Sequence, residues 1–146
     1  MLFRSLSAGR ATVGALHEIV PFANQLVRTQ VRGRDLKRLL DNSTFRSGPD
    51  LHLSGLILTW NSAREEGDLV ERITTSDGGA INPDVLYTVI MNDYMFGDPA
   101  TIRGVPFVTG DVLKVRDIDA LAQYLRSLPQ PVVAPSNART RSTGTP

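Results

Sequence analysis

The sequence predicts an α+β fold, in which a mixed β-sheet carries two amphipathic helices. Short runs of β-branched and large apolar residues, each bounded by Gly, Pro, Asn or Asp, predict strands. Two other segments repeat their apolar residues with the period of a helix, about 3.6 residues. One helix follows the first strand and the other comes after the last, which differs from the regular strand and helix alternation of a parallel α/β sheet.

Four strands are predicted in the first two thirds of the chain. Their residue types fit the half-buried surface of a pleated sheet. The stretch 61–68, between the second and third of these strands, is predicted to be a hairpin connection. The predicted strands cover residues 25–31, 53–60, 69–75 and 85–91.

The clearer helix is predicted over residues 117–128. Asp117 is its expected N-cap, and Pro129 ends it because proline cannot continue a helix. Its apolar face consists of Ile118, Leu121, Ala122, Leu125 and Leu128. A shorter helix is predicted over residues 34–42, with charged residues on its outer face. Its core-facing residues are Leu36, Leu39 and Leu40.

The composition excludes several kinds of site. Of the 146 residues, 41% are hydrophobic and 21% are charged, so the chain is able to bury a core. The absence of Cys excludes disulfides, thiolate metal sites and Cys nucleophiles. No apolar run approaches the roughly 18 residues of a membrane helix. The first residues are interrupted by Arg4 and Arg10 and are unlike a signal peptide. We therefore predict no membrane partner.

Charge and proline content divide the chain. Residues 1–128 are predicted to form one domain, and residues 129–146, rich in Pro, Ser and Thr, are predicted to be a disordered tail. The net charge is only +1, but residues 1–46 hold eight basic and three acidic side chains, whereas residues 47–128 hold six basic and twelve acidic ones. A basic front segment favours an anionic partner.

Several short motifs follow one another in a fixed order. They are Phe3-Arg4-Ser5, Pro21-Phe22-Ala23-Asn24, Leu53-Ser54-Gly55 and Asn92-Asp93-Tyr94 followed by Gly97-Asp98. Together they resemble the C-terminal domain of the 5'-nucleotidase family of metallophosphoesterases. The corresponding family motifs are Gly-Gly-Ile-Arg, Pro-Phe-Gly-Asn, Val-Ser-Gly and Asn-Asp-Tyr with Gly-Gly-Asp-Gly. The resemblance extends from residue 3 to about residue 128.

The resemblance implies an α+β domain that binds the base and sugar of a nucleotide. In that family a separate N-terminal domain holds two metal ions and performs the hydrolysis. This chain starts in the middle of the Gly-Gly-Ile-Arg motif, so we expect it to lack that catalytic domain and its pair of divalent metals. We expect neither catalytic residues nor a cofactor in this chain, because a two-metal site needs several ligands and only His17 and His52 are present as histidines.

The expected ligand is a nucleotide or a related small phosphoester, and a metallophosphatase domain or subunit is the expected protein partner. No nucleic-acid partner is predicted. For full-length family members the resemblance implies a periplasmic or extracellular location.

Five residues are predicted to bind the substrate. The guanidinium groups of Arg4 and Arg28 suit phosphate oxygens, and Asn24 belongs to the Pro-Phe-x-Asn motif. Tyr94 matches the family's base-stacking aromatic residue, and a ring offers any base a stacking surface. Asp98 matches the acid that accepts hydrogen bonds from the ribose. The alternatives are a frayed Arg4, a solvated Arg28 and a structural Tyr94 at a strand end.

Two departures from the family pattern leave a second function open. The family clamps the base between two aromatic side chains, but Asp50 and Leu51 stand where the second is expected, which leaves Tyr94 alone or with Leu51 as an aliphatic lid. The loop around Asp98 has one preceding glycine and is followed by Pro99, which restricts the backbone. The alternative is a noncatalytic ligand-binding or protein-interaction module that keeps the fold.

Overall fold

The computed structural model describes residues 6–108, 110–134 and 138–144. The helices in these ranges are α1 Val13–Ile19, α2 Gly33–Asp41, α3 Asp93–Gly97 and α4 Asp117–Ser127. The strands are β1 Gln25–Arg32, β2 Thr44–Phe45, β3 Gly48–Pro49, β4 Leu56–Trp60, β5 Val70–Thr75, β6 Leu86–Asn92, β7 Gly110–Arg116 and β8 Thr140–Ser142. The predicted α+β class is confirmed, but the strands form separate sheets.

The first sheet has the strand order β6-β1-β7, with both neighbours antiparallel to β1. Leu26 pairs with Asn92, so the start of β1 lies beside the end of β6. Side chains alternate between the two faces of β1. The buried positions of β1 are Val27, Thr29 and Val31. Arg28 and its partner Ile90 are exposed on the other face, which we call the open face.

The second sheet has the strand order β5-β4-β8. β4 and β5 are antiparallel, which confirms the predicted hairpin. β8 pairs in parallel with the other edge of β4, with Leu58 opposite Thr140. Two backbone hydrogen bonds, from Leu58 N to Arg139 O and from Thr143 N to Trp60 O, are both 2.9 Å long and flank this pairing.

β8 lies within the segment predicted to be disordered, and at Thr140–Ser142 the structure differs from that prediction. Composition indicates how polar a segment is. It does not indicate whether the fold contains a sheet edge with which the segment is able to pair. The edge of β4 presents backbone groups that need hydrogen-bond partners, and β8 supplies them. The Thr143 Oγ1 hydroxyl also donates a 2.6 Å hydrogen bond to Glu71 Oε2 of β5. Residues 129–134 form neither helix nor strand.

The core combines side chains of α2 and both three-stranded sheets. Its buried members are Val31, Leu36, Leu39, Leu40, Leu58, Val70, Met91 and Val105. α2 begins at Gly33, where a Cβ atom would lie 2.1 Å from the carbonyl oxygen of Asn82. Glycine therefore lets the helix start against this backbone, and the apolar face of α2 then packs on the core.

Both predicted helices are confirmed with small shifts. α2 begins and ends one residue before its predicted bounds, and α4 ends one residue early. The predicted N-cap is wrong: Arg116 occupies that position without a side-chain capping bond, and Asp117 is the first helical residue. Asp117 Oδ1 accepts a 2.7 Å hydrogen bond from Ile118 N within the first turn.

α1, α3, β2, β3 and β7 are absent from the sequence prediction. A helix of seven residues with Leu16 as its buried residue, or one of five residues, does not repeat its apolar positions often enough to show a period. β7 is an edge strand whose pairing with β1 shifts register, and Lys114 within it has a φ of +53°. Such a bulge interrupts the alternation that predicts a strand.

Candidate functional site

The predicted site residues lie at several places around the first sheet. Asn24 directly precedes β1, Arg28 lies within β1, Tyr94 is in α3 and Asp98 follows α3. Arg4 lies outside the described residues. Its predicted role in phosphate binding stays a prediction.

Asn24 joins the start of β1 to the start of α4. Its side-chain Nδ2 donates a 3.2 Å hydrogen bond to Asp117 Oδ2, and its carbonyl oxygen accepts a 2.8 Å bond from Asp117 N. The preceding Ala23 has a φ of +50°, an uncommon conformation for a residue with a side chain. Asn24 is therefore held in a fixed position by a strained turn and a helix terminus.

Arg28 lies on the open face of the first sheet. Its Nη2 is 3.2 Å from Asp111 Oδ2 of β7, and the two side chains are 55% and 60% exposed. An ion pair with this exposure is weak, because water screens both charges. The guanidinium group therefore remains accessible to an anion in solution.

Tyr94 lies in the first turn of α3 with its side chain in solvent. Asn92 caps this helix, since its Oδ1 accepts a 2.8 Å hydrogen bond from Met95 N. Met95 and Phe96 pack against the core, whereas Tyr94 is 65% exposed. The structure thus places Tyr94 in a helix rather than at the end of a strand.

Asp98 follows α3 and closes the next turn. Its Oδ2 accepts hydrogen bonds from Thr101 Oγ1 at 2.6 Å and from Thr101 N at 3.0 Å, and its Oδ1 accepts one from Ala100 N at 3.3 Å. The Thr101 hydroxyl, followed by the two backbone donors, lowers the pKa of Asp98 below its usual value. Because an ionised carboxylate has about four lone-pair positions, only about one remains for a ligand.

These residues form two groups rather than one. Leu26 at the start of β1 pairs with Asn92 at the end of β6. Asn24 stands two residues before Leu26 and Tyr94 two residues after Asn92, so both lie at the same end of the first sheet. Met95 and Phe96 of α3 pack on the core side with Met91, whereas Arg28 lies on the opposite face. The sheet therefore separates Arg28 from the core-facing side of α3.

The second aromatic residue of a base clamp is absent at the expected position. Leu51 is partly buried and packs against the core, and its role as an aliphatic lid stays a prediction. Asp50 is exposed, and its backbone N donates a 2.9 Å hydrogen bond to Ser43 O. Two rings at motif positions are exposed in the structure, Tyr94 at 65% and Phe22 at 62%.

Two kinds of contact around these residues could not be predicted from the sequence. Asp117 holds Asn24 from 93 positions away. Asn42 and Arg38 of α2 donate hydrogen bonds to the loop that follows Asp98, across 59 to 66 positions. No local pattern contains such pairings, because they depend on how the helices are placed in the fold.

Within residues 6–108, 110–134 and 138–144, no three His, Asp or Glu side chains are grouped so that they can hold a metal ion. In the same ranges no helix has the length and apolar character needed to cross a bilayer.

Comparison with known protein families gives a match over most of the chain. The model described as 5'-nucleotidase, C-terminal domain matches residues 2–102. The chain belongs to this family. The match contains Asn24, Arg28, Tyr94 and Asp98, and it confirms the resemblance predicted from the motifs.

A curated relative and two solved structures show how this 5'-nucleotidase C-terminal domain compares with longer proteins. It is 30% identical to Endonuclease YhcR of Bacillus subtilis (strain 168), over 94% of this chain and 11% of that protein. A 5'-nucleotidase precursor of Thermus thermophilus has the same fold, with a TM-score of 0.80 and 24% identity over 93% of this chain and 28% of that one.

The NAD nucleotidase NadN of Haemophilus influenzae also has this fold, with a TM-score of 0.76 and 17% identity over 93% of this chain and 27% of that one. The domain thus spans about a tenth of the length of the curated relatives it matches and less than a third of these solved chains.

Proposed function

We propose that this chain is the nucleotide-recognition domain of a 5'-nucleotidase-like hydrolase that acts in nucleotide breakdown. It would bind a nucleotide or a related small phosphoester and orient it toward a metal-bearing domain or subunit. The observation that carries the proposal is the exposed ring of Tyr94 at the same end of the first sheet as the fixed amide of Asn24.

The chemistry of this sheet end suits a nucleotide. A ring that is mostly exposed offers a base a stacking surface, at no cost in lost core packing. The side-chain amide of Asn24 keeps its Oδ1 oxygen and the second N–H of Nδ2 for polar groups of the ligand. Similar proteins named as a 5'-nucleotidase, a NAD nucleotidase and an endonuclease are consistent with a substrate of this class.

The metal ions of the proposed reaction require another part of the enzyme. A two-metal phosphoesterase needs several ligands that converge on ions about 3.5–4 Å apart. The described residues do not fit such a pair, because no three of their His, Asp and Glu side chains are grouped so that they can hold a metal ion. In this proposal the chain supplies binding and orientation.

A nucleotide titration tests the proposal. Adenosine 5'-monophosphate, added to the 146-residue chain and followed by amide chemical shifts, is expected to perturb residues around Asn24 and Tyr94. Tyr94→Ala is expected to weaken the affinity at least about fivefold, since stacking contributes about 1–3 kcal/mol per base. Tyr124→Ala is the matched control, because Tyr124 is a similarly exposed tyrosine on α4. An absence of shifts at millimolar nucleotide would contradict the proposal.

One observation favours a second function. Asp98 already accepts three hydrogen bonds within its own loop, so it has little capacity for sugar hydroxyl groups. A noncatalytic module that keeps the fold and binds another ligand or a protein would show this feature. It predicts that the same titration leaves the amide shifts of Asn24 and Tyr94 unchanged.

A further inference from the structure

The loop at residues 98–105 is fixed from within. Asp98 accepts bonds from two backbone N–H groups and one hydroxyl, and Ile102 N donates a 3.1 Å bond to Asp98 O. Val105 N then donates a 3.0 Å bond to Ile102 O, and the Val105 side chain is buried in the core. The loop is thus a wound segment with a buried anchor at its far end.

α2 holds the same loop from outside. Asn42 Nδ2 donates hydrogen bonds to Thr101 O at 3.0 Å and to Arg103 O at 2.9 Å. Arg38 Nη1 donates a 2.6 Å bond to Gly104 O. The Asn42 amide has two N–H donors, so both are used on this loop.

The residues of this clamp are themselves well positioned. Asn42 is the C-cap of α2, and its backbone N donates a 3.0 Å bond to Arg38 O one turn earlier. α2 is anchored by its buried leucines in the core. The helix therefore transmits the rigidity of the core to three carbonyl groups of the loop.

We propose that Asn42 and Arg38 are positioning residues that hold the loop of Asp98 in the shape in which the carboxylate keeps its one remaining acceptor position for a ligand. This inference rests on the proposed function of nucleotide recognition. By fixing the carbonyl groups of Thr101, Arg103 and Gly104, the two side chains keep Asp98 in its turn and hold the loop preformed beside α3. A preformed loop binds more tightly, because less conformational entropy is lost on binding.

Asn42→Asp gives a sharp test, because it keeps the shape of the side chain but replaces both donors by acceptors. Its carboxylate would face two carbonyl oxygens. Amide hydrogen exchange at Ala100 and Thr101, whose N–H groups bond Asp98, is expected to accelerate about tenfold or more. Affinity for adenosine 5'-monophosphate is expected to fall about tenfold, because the loosened loop would have to be ordered again on binding. The Val70 amide, bonded to Asp41 in the core, is expected to exchange at the wild-type rate.

Asn82→Asp is the control, because it adds the same charge at an exposed turn and keeps the acceptor that binds Asp84 N. Its loop exchange and nucleotide affinity are expected to match the wild type. Arg38→Met keeps the aliphatic stem, and with one bond lost it is expected to weaken binding about threefold, which tests the clamp even if Asn42→Asp fails to fold.

The readouts separate the two proposals. Unchanged exchange at Thr101 in both clamp variants would overturn the clamp. A wild-type chain that binds no nucleotide would overturn the proposed function, while the exchange measurement would still decide whether the clamp exists. Faster loop exchange with unchanged nucleotide affinity would overturn the positioning role.

Discussion

The region of α2, β4 and β5, which we call the buried half, differs from the open face of the first sheet in how far its charged side chains are exposed and in how many hydrogen bonds they make. In the buried half, Asp41 is 6% exposed, accepts a 2.7 Å bond from Lys37 Nζ and also accepts a 2.8 Å bond from Val70 N. On the open face, Arg28 and Asp111 meet at 3.2 Å with more than half of each side chain in solvent.

At the surface of the buried half, charged side chains that are 38%, 40% and 50% exposed form a network with the buried Asp41. Lys37 Nζ reaches Asp68 Oδ1 at 2.5 Å as well as Asp41, and Arg64 pairs with the other oxygen of Asp68. This network joins α2 to the hairpin between β4 and β5. The open face has no such network among the contacts described for Arg28. The buried half thus forms a framework, and the open face leaves the charged groups of Arg28 and Asp111 accessible to solvent.

The largest expected contrast comes from apolar truncation. Leu58→Ala removes a fully buried side chain of β4 and is expected to lower the free energy of unfolding by about 3–4 kcal/mol. Ile90→Ala removes a side chain that is 57% exposed and is expected to change it by about 0.5 kcal/mol or less. Urea unfolding measures both. Equal losses would show that the open face is covered in solution.

A second contrast concerns the ion pairs. Asp41→Ala leaves Val70 N buried without an acceptor and removes a partner of Lys37, so a loss of about 3 kcal/mol is expected. Asp111→Ala breaks the exposed pair with Arg28, with an expected loss of about 0.5 kcal/mol. Thermal unfolding measures both losses. If Asp111→Ala lowered the free energy of unfolding as much as Asp41→Ala does, burial would not determine how much an ion pair contributes to stability.

The pH dependence of stability is a smaller effect. Hydrogen bonds from Lys37 and Arg64 lower the pKa of Asp68 below its usual value of 3.8. Because the unfolded chain binds this proton more readily, the contribution of Asp68 is present above pH about 4 and is lost as the pH falls through the lowered pKa. Asp68→Asn is expected to flatten the stability profile between pH about 5 and 2. Parallel profiles for the two proteins would contradict this interpretation.

The smallest expected effect is at the turn before β1. Ala23 has a φ of +50°, a conformation in which a Cβ atom is unfavourable. Ala23→Gly removes this strain but gives the unfolded chain more conformational freedom. We expect the first effect to be larger, so that the free energy of unfolding rises by about 0.5 kcal/mol. Ala15→Gly in α1 is the control with the opposite sign, since glycine within a helix costs about 1 kcal/mol. A destabilised Ala23→Gly in thermal melts would show that the turn is not strained.

Local sequence patterns predict much of the fold. The four predicted strands correspond to β1, β4, β5 and β6, and the two predicted helices correspond to α2 and α4. Each of these elements repeats its apolar residues often enough to show a period. α1 and α3 are too short for that, and β8 exists because the edge of β4 offers it backbone partners.

The candidate site is less visible in the sequence. The motifs identify Asn24, Tyr94 and Asp98 as residues of interest, but not what each one contacts. Asp117 binds Asn24 from the far end of the domain, and Asn42 reaches the loop of Asp98 from α2. Arg28 lies on a face of the sheet away from the side chains of α3 that pack on the core.

The sequence by itself determined the α+β class, the principal elements and membership of the 5'-nucleotidase C-terminal domain family. These properties depend on residue type and short spacing, which a linear pattern contains. The tertiary structure decided which polar groups are occupied and which remain accessible. Asp98 is largely used within its own turn, whereas Tyr94 stays in solvent. Hydrogen bonds between residues tens of positions apart form only when packing brings those residues together, and so only the folded chain reveals them.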